Sequence, residues 1–254
     1  MAIAEQQYQQ LLADVRELAE RVDGIGMRLV GAENIASHHG DEHADLGRDP
    51  IKGATVKGHS HALALSVVAT NTSTQASGTS HTVALPSGIE DGQLVLVFFA
   101  HGTTGSPTVT WPAGWTRFIT LTGWQAAYRF VDGTEGASIT VTTNTAQVSA
   151  HCTILIAGAA RTAPEATTAT GTSTTPDPPA HSPVGGLQTY LWVAAGGANE
   201  PIAGPSGYEN YLSAGTDTAC IAATRIIATA TENPGLFTAN DSGWVIATIS
   251  VLAA

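Results

Sequence analysis

Four segments of the chain occur twice, in the same order. QLVLVFFAHG (93–102) parallels QTYLWVAAGG (188–197), and WPAGWTRFITLTG parallels GPSGYENYLSAGT. AAYRFVDGTEGASITVT parallels AATRIIATATENPGLFTA, and SAHCTILIAGAA parallels GWVIATISVLAA. Pairing Trp115 with Tyr208 gives an offset of 93 residues, and pairing Arg129 with Arg225 gives 96. Each segment alternates apolar and polar residues, or is a short apolar run, and Gly, Pro, Asp and Asn bound it, which is the pattern of strands between turns. No helical period appears in this region. One such β unit leaves an apolar face uncovered, so two copies predict two layers packed face to face. The expected fold is therefore mainly β: a jelly-roll-like antiparallel β-sandwich over 63–254, built from two repeated halves. These halves span about 63–160 and 184–254, and a Thr/Ala/Pro connector of low complexity, 161–183, joins them.

The chain ahead of this body has another character. Residues 1–62 hold 6 Lys/Arg and 10 Asp/Glu, whereas residues 63–254 hold 4 and 11, with no lysine after Lys57. Tyr8, Leu11, Val15, Leu18, Val22, Ile25 and Leu29 are spaced alternately by three and four residues. That is a heptad seam, with Tyr8, Val15, Val22 and Leu29 at a and Leu11, Leu18 and Ile25 at d. Residues 1–30 thus read as a short coiled-coil helix for oligomerisation or attachment. Leu12 and Ala19 at e widen its apolar face, which favours a trimer over a dimer. The alternative is one amphipathic helix docked on its own domain. Residues 31–62 are a polar linker without period, carrying five of the nine histidines: His38, His39, His43, His59 and His61.

Composition narrows the function. A formal net charge of -11 argues against a nucleic-acid partner, which needs clustered Lys and Arg. No apolar run is long enough to cross a membrane, and MAIAEQQYQQ carries no secretory signal pattern. Cys152 and Cys220 sit in apolar alternating runs and read as buried free thiols. Catalysis needs a converging acid, base or nucleophile. Glu90 with Asp91, and Asp132 with Glu135, suit β-turns instead. His81, His101, His151 and His181 each stand alone in the sequence, and no phosphate-binding loop occurs. The expectation is a chain that is not an enzyme.

ALPSGIEDGQLVLVFFA, VTWPAGWT, AAYRFVDGTEGASITVTT and SAHCTILIAGA, followed by PDPPAHSP and a second half ending in WVIATISVLAA, resemble a structural module of tailed-bacteriophage virions. Such modules occur in tail-fibre, minor tail and head-fibre components. The resemblance covers roughly 63–254 and implies a virion protein, made in the host cytoplasm, that meets other virion proteins through its N-terminal segment. It leaves open a fibre, spike or appendage, a carbohydrate-binding module for a host-surface glycan, and a capsid decoration protein. Trp111, Trp115 and Trp124 lie near loops and are the candidates for stacking on sugar rings, with core and turn packing as the alternative. Trp192 and Trp244 lie inside apolar strands and read as core.

In GHSH, His59 and His61 are two residues apart, so an extended chain points both to one side. One chain offers two imidazoles, and three chains around an axis offer six, enough for an octahedral first-row transition metal ion. The motif also resembles the His-x-His elements of trimeric phage fibres, which hold an axial metal ion. The alternative is a polar hinge with exposed histidines.

The seam makes a direct prediction. Leu18→Asp buries one carboxylate per chain at the axis and should convert a homotrimer to monomers. The solution mass of wild type and variant at micromolar concentration measures this; a monomeric wild type refutes the assembly.

Overall fold

In the computed structural model, which describes residues 64–240 and 243–254, the short apolar runs become strands, and no helix forms among the described residues. The coiled coil of 1–30, the linker 31–62 and His59 and His61 lie outside the described residues.

The first half forms β1 (Ser66–Ala84), β2 (Leu94–His101), β3 (Val109–Thr110), β4 (Thr116–Leu121), β5 (Trp124–Phe130) and β6 (Ser138–Ala157). They make one antiparallel sheet in the order β1-β6-β2-β5-β4, with β3 on β6. Next come β7 (Glu165–Gly171), β8 (Gln188–Ala198), β9 (Pro201–Ala203), β10 (Glu209–Ala214), β11 (Ala219–Thr229), β12 (Thr238–Ala239) and β13 (Trp244–Leu252). The second sheet runs β10-β11-β8-β13-β7, and β9 pairs with β12.

Read from opposite ends, the two sheet orders correspond strand for strand. β8 takes the place of β2, β10 of β4, β11 of β5, β13 of β6 and β7 of β1. Arg129 lies opposite Val95, and Arg225 lies opposite Trp192. The same turn precedes β4 and β10. Trp115 N–H donates to Pro112 O (3.3 Å) and Tyr208 N–H to Pro205 O (3.2 Å). Gly114 and Gly207 take φ of 84° and 78° at the third turn position, the left-handed conformation that a type II turn demands there.

Three sequence expectations change. A jelly roll alternates strands between layers, whereas here the chain completes one sheet before it enters the other. The connector 161–183 is not all connector: its EATTATG is β7, an edge strand paired with β13. Finally, Val95 faces Leu155 while Trp192 faces Ser250. Relative to the Val95–Trp192 correspondence, β13 is offset from β6 by 95 residues, one more than an end-to-end match of SAHCTILIAGAA and GWVIATISVLAA gives. A one-residue slip turns every side chain to the other face, so the sheet settles what similarity alone misplaces.

Between the sheets, Leu94, Leu96 and Phe98 of β2 and Ile154 and Ile156 of β6 meet Leu191 and Val193 of β8 and Ile249 and Val251 of β13. Both free thiols lie at this seam. Cys152 Sγ donates to Cys220 O (3.2 Å), and Cys220 Sγ donates back to Phe98 O (3.5 Å).

β2 is buried along its whole length, so its far face is covered as well. Val95, Val97 and Phe99 pack there against Val83, Leu85, Val109 and Val141. The cover comes from the long strands themselves. The β1–β6 ladder shifts register at Gln75, Gly78 and Ser80, and the arms beyond fold back over the sheet. Asn71 Nδ2 then reaches Leu85 O at 2.9 Å across the fold.

A chain of hydrogen bonds fastens this cover, and every proton in it can be assigned. Thr143 Oγ1–H donates to Thr145 O (2.8 Å), so Thr143 accepts from His81 Nε2–H (2.9 Å). His81 Nδ1 is then an acceptor and takes the Ser149 hydroxyl proton (2.7 Å). Ser149 in turn accepts from His151 Nε2–H (2.9 Å). His151 Nδ1 accepts from Ser73 Oγ–H (2.8 Å), and Ser73 accepts from Ala84 N–H (3.1 Å). Both imidazoles are buried and packed on Phe99, His151 stacked at 5.1 Å and His81 edge-on at 5.3 Å.

A second N–H proton on either ring would face a hydroxyl that already donates to it. Burial, with the nearby His81, pushes His151 down to about 4, and burial with the nearby His101 also lowers His81. The folded state thus favours neutral rings, and the unfolded chain binds protons first, near pH 6.5. The stabilisation is complete above pH 6.5 and falls away as the pH drops toward 4. His151 alone accounts for about 3 kcal/mol of this loss. Urea unfolding at pH 7.5, 6 and 4.5 should show it. Ser149→Ala, which strips a partner from both rings, should cost about 2–4 kcal/mol at pH 7.5.

Candidate functional site

β1 and β6 set the polarity of the body. Ser66 pairs with Ala157, beside the start of β2 where Leu94 faces Ile156, so the described chain enters at that pole. β2 ends at the other pole, where His101 faces Ser149 and its N–H bonds Gly123 O (2.9 Å). Two adjoining polar clefts lie at this far pole, of about 360 and 680 Å³, and His101, Thr103, Thr122 and Gly123 line both. The larger also meets Asn199 and Asp217 in loops of the second half and Trp244 of the second sheet.

The smaller cleft is built on the outer face of the first sheet. Phe99, Gln125 and Thr120 lie side by side across β2, β5 and β4, because Phe99 pairs with Gln125 and Thr120 with Gln125. Gln125 is buried, and its Oε1 accepts from Trp111 Nε1–H (3.1 Å) and Arg117 Nη1–H (3.5 Å). Two donors on one oxygen fix the amide orientation, which turns Nε2 away from them. His101 is buried at 6% exposure. Its Nδ1 lies 2.7 Å from Gly102 O, a pure acceptor, so Nδ1 carries the proton. Nε2 is then a bare acceptor, with no partner among the described residues. Burial lowers the proton affinity of this ring, against the pull of the Gly102 carbonyl.

The three tryptophans proposed for ligand stacking part company. Trp124 is fully buried, stacked on Phe98 at 5.9 Å between the sheets. It is core, because β5 turns it inward. Trp115, 9% exposed, belongs to the apolar cluster on the outer face of the first sheet. Trp111 alone is half-buried, edge-on to Phe99 and tied to Gln125 beside the smaller cleft. Trp192 is fully buried, and Trp244 is half-buried with its ring laid over Gly171, where a Cβ would collide with it.

The other polar candidates hold the structure together. Arg129 Nε bonds the buried Glu135 at 3.0 Å, and Arg225 bonds Glu232 at 3.2 Å, matching turn anchors in the two halves. Hydrogen bonds from Thr134 hold the Asp132 carboxyl below its usual range, helped by Arg129. Gln93 Oε1 accepts from Glu90 N–H (2.8 Å) in the turn before β2, the turn that also holds Asp91. His181 bonds Thr167 (2.9 Å) and Ser250 (3.1 Å) on the second sheet, edge-on to Trp192. Among the described residues no three His, Cys, Asp or Glu side chains gather as a metal site. The sequence left His81, His101 and His151 apart and passed over Gln125 and Ser149. The alternation of QAAYRF, with Gln125 on the same face as Ala127, is the signal that places Gln125 beside Phe99.

No family model matches the chain, and searches of curated proteins and of solved structures return no match either.

Trp124 and Trp111 predict losses of different size. Trp124→Ala opens the inter-sheet core and should cost about 3–5 kcal/mol. Trp111→Ala should cost about 1–2 kcal/mol, from one hydrogen bond and partial burial. Denaturant unfolding of the two variants measures the gap; equal losses would contradict this placement.

Proposed function

We propose that the chain is a non-enzymatic structural component of a bacteriophage virion: a fibre, spike or appendage whose β body faces outward. One observation carries this reading. The described chain enters the body at one pole, beside a cleft of about 500 Å³ lined by Ser66, Val67 and Arg225, and two adjoining polar clefts lie at the other, an arrangement suited to a module held at its base and presented at its tip. The sequence resemblance of 63–254 to virion modules supports it. So does the use made of the buried histidines: His81, His151 and His181 bond Ser and Thr hydroxyls within the fold.

In this reading the two halves are copies of one β unit, each closing as a sheet and covering the other. The heptads of 8–29 trimerise the stem. His59 and His61 of three chains clamp a first-row transition metal ion on the axis above the body. Recognition of a host-surface glycan is the second reading, favoured by Trp111 and Gln125 at the edge of the distal cleft. Capsid decoration is the reading left if no host ligand is bound.

The test is placement. A density map of the particle should contain this body as a trimer, distal pole outward, and antibodies to the chain should label intact particles. A particle that lacks the protein refutes the proposal. Metal content of the purified trimer, against a His59→Ala/His61→Ala control, decides the clamp separately.

A further inference from the structure

We infer that the smaller cleft at the distal pole is a binding site for a neutral saccharide, with His101 and Gln125 gripping its hydroxyls. The inference rests on the glycan reading above and names its site.

A hydroxyl both donates and accepts, and the cleft offers one group of each kind. His101 Nε2 is a lone-pair acceptor with no partner among the described residues. Leaving a buried acceptor unpaired costs about 1–3 kcal/mol, which a donated O–H offsets. Gln125 supplies the complement. Its oxygen is committed to Trp111 and Arg117, and its Nε2 makes no hydrogen bond among the described residues. Gln125 is also one of the residues that line the cleft. An acceptor and a donor presented together suit a pair of ring hydroxyls better than a carboxylate, which accepts only, or an ammonium group, which donates only.

The surroundings favour a sugar without charge. Thr103, Ser106, Thr120 and Thr122 give the cleft further hydroxyls, Leu121 and Pro107 give it apolar surface, and it holds no charged side chain. Arg117, the nearest cation, lies along the Gln125 oxygen. Trp111, held by the same oxygen, is the half-buried aromatic beside the cleft, where the C–H face of a pyranose can pack. A volume of about 360 Å³ takes one or two sugar rings. His101 Nε2 is covered from solvent in the fold, so this binding requires the exposed 103–106 segment to move aside.

The test uses the full chain on a glycan array and with a panel of methyl hexopyranosides. The variants are close in shape. Gln125→Glu keeps the oxygen that receives Trp111 and Arg117 and turns the amide donor into an acceptor. His101→Phe keeps the ring on Phe99 and removes the acceptor. Wild type should bind a neutral saccharide, and each variant should weaken it about tenfold or more with the melting temperature little changed. Hydrogen exchange on wild type, with and without the bound sugar, supplies a readout free of substitution: protection should centre on 101–107 and 120–125. The inference is overturned if no neutral saccharide binds, if only charged glycans bind, if both variants bind as wild type does, or if protection falls elsewhere. Any of these leaves particle placement intact, and a particle that lacks the chain leaves the sugar measurement intact, so the two proposals fail separately.

Discussion

The burial of β2 on both faces is the constraint on which the first half depends. A strand reading LVLVFFAH cannot leave either side to water, and one partner sheet covers only one side. The second sheet takes the Leu94, Leu96 and Phe98 face. The other face has no domain to meet, so β1 and β6 run past the sheet end, shift register and fold back over it. Folding back brings polar backbone and hydroxyls into a buried layer, where each needs a partner. The Ser73–His151–Ser149–His81–Thr143 chain provides those partners. It works because neutral histidine has one donor and one acceptor and serine can fill the complementary role on each side.

The second half solves the same problem with other material. Its outer face carries Tyr190 and Trp192, with His181 edge-on to Trp192, and then Ala194, Ile221, Ala223 and Ile246. Phe237 covers these last four from the loop region around β12, its N–H bonded to Pro176 O (2.9 Å). No folded-back arm is needed there, and the strand equivalent to β1 is the seven-residue β7. Two sheets of matching order are thus covered on their outer sides by different segments.

This asymmetry also explains where the distal cleft lies. Phe99 is the centre of the aromatic group on the outer face of the first sheet, with His81, His151, His101 and Trp111 all against it. The relay uses both nitrogens of His81 and His151. His101, at the strand end, spends one nitrogen on its neighbour's carbonyl and keeps the other unpaired. The fold therefore satisfies its interior histidines and leaves the one at the pole incomplete.

Much of this was legible in the sequence. The repeated segments, the Pro-x-Gly turns before β4 and β10, the inward Cys152 and Cys220 and the matched Arg129 and Arg225 all follow from local pattern, because strand period and turn chemistry act over a few residues. β7 was not legible: a Thr/Ala edge strand looks like low-complexity linker until β13 lies beside it. The relative offset of β13 and the burial of Trp124 were not legible either, since a one-residue choice of register decides which face a side chain takes. The encounter of His81 with Ser149 and His151 spans 68 residues and more, and that of Trp111 with Gln125 depends on which β5 face points outward. The sequence by itself determined that the chain would be a β body with two similar halves. The tertiary structure decided which polar groups meet, because only the fold-back of the β1–β6 ladder and the closing of one sheet on the other bring them within bonding distance.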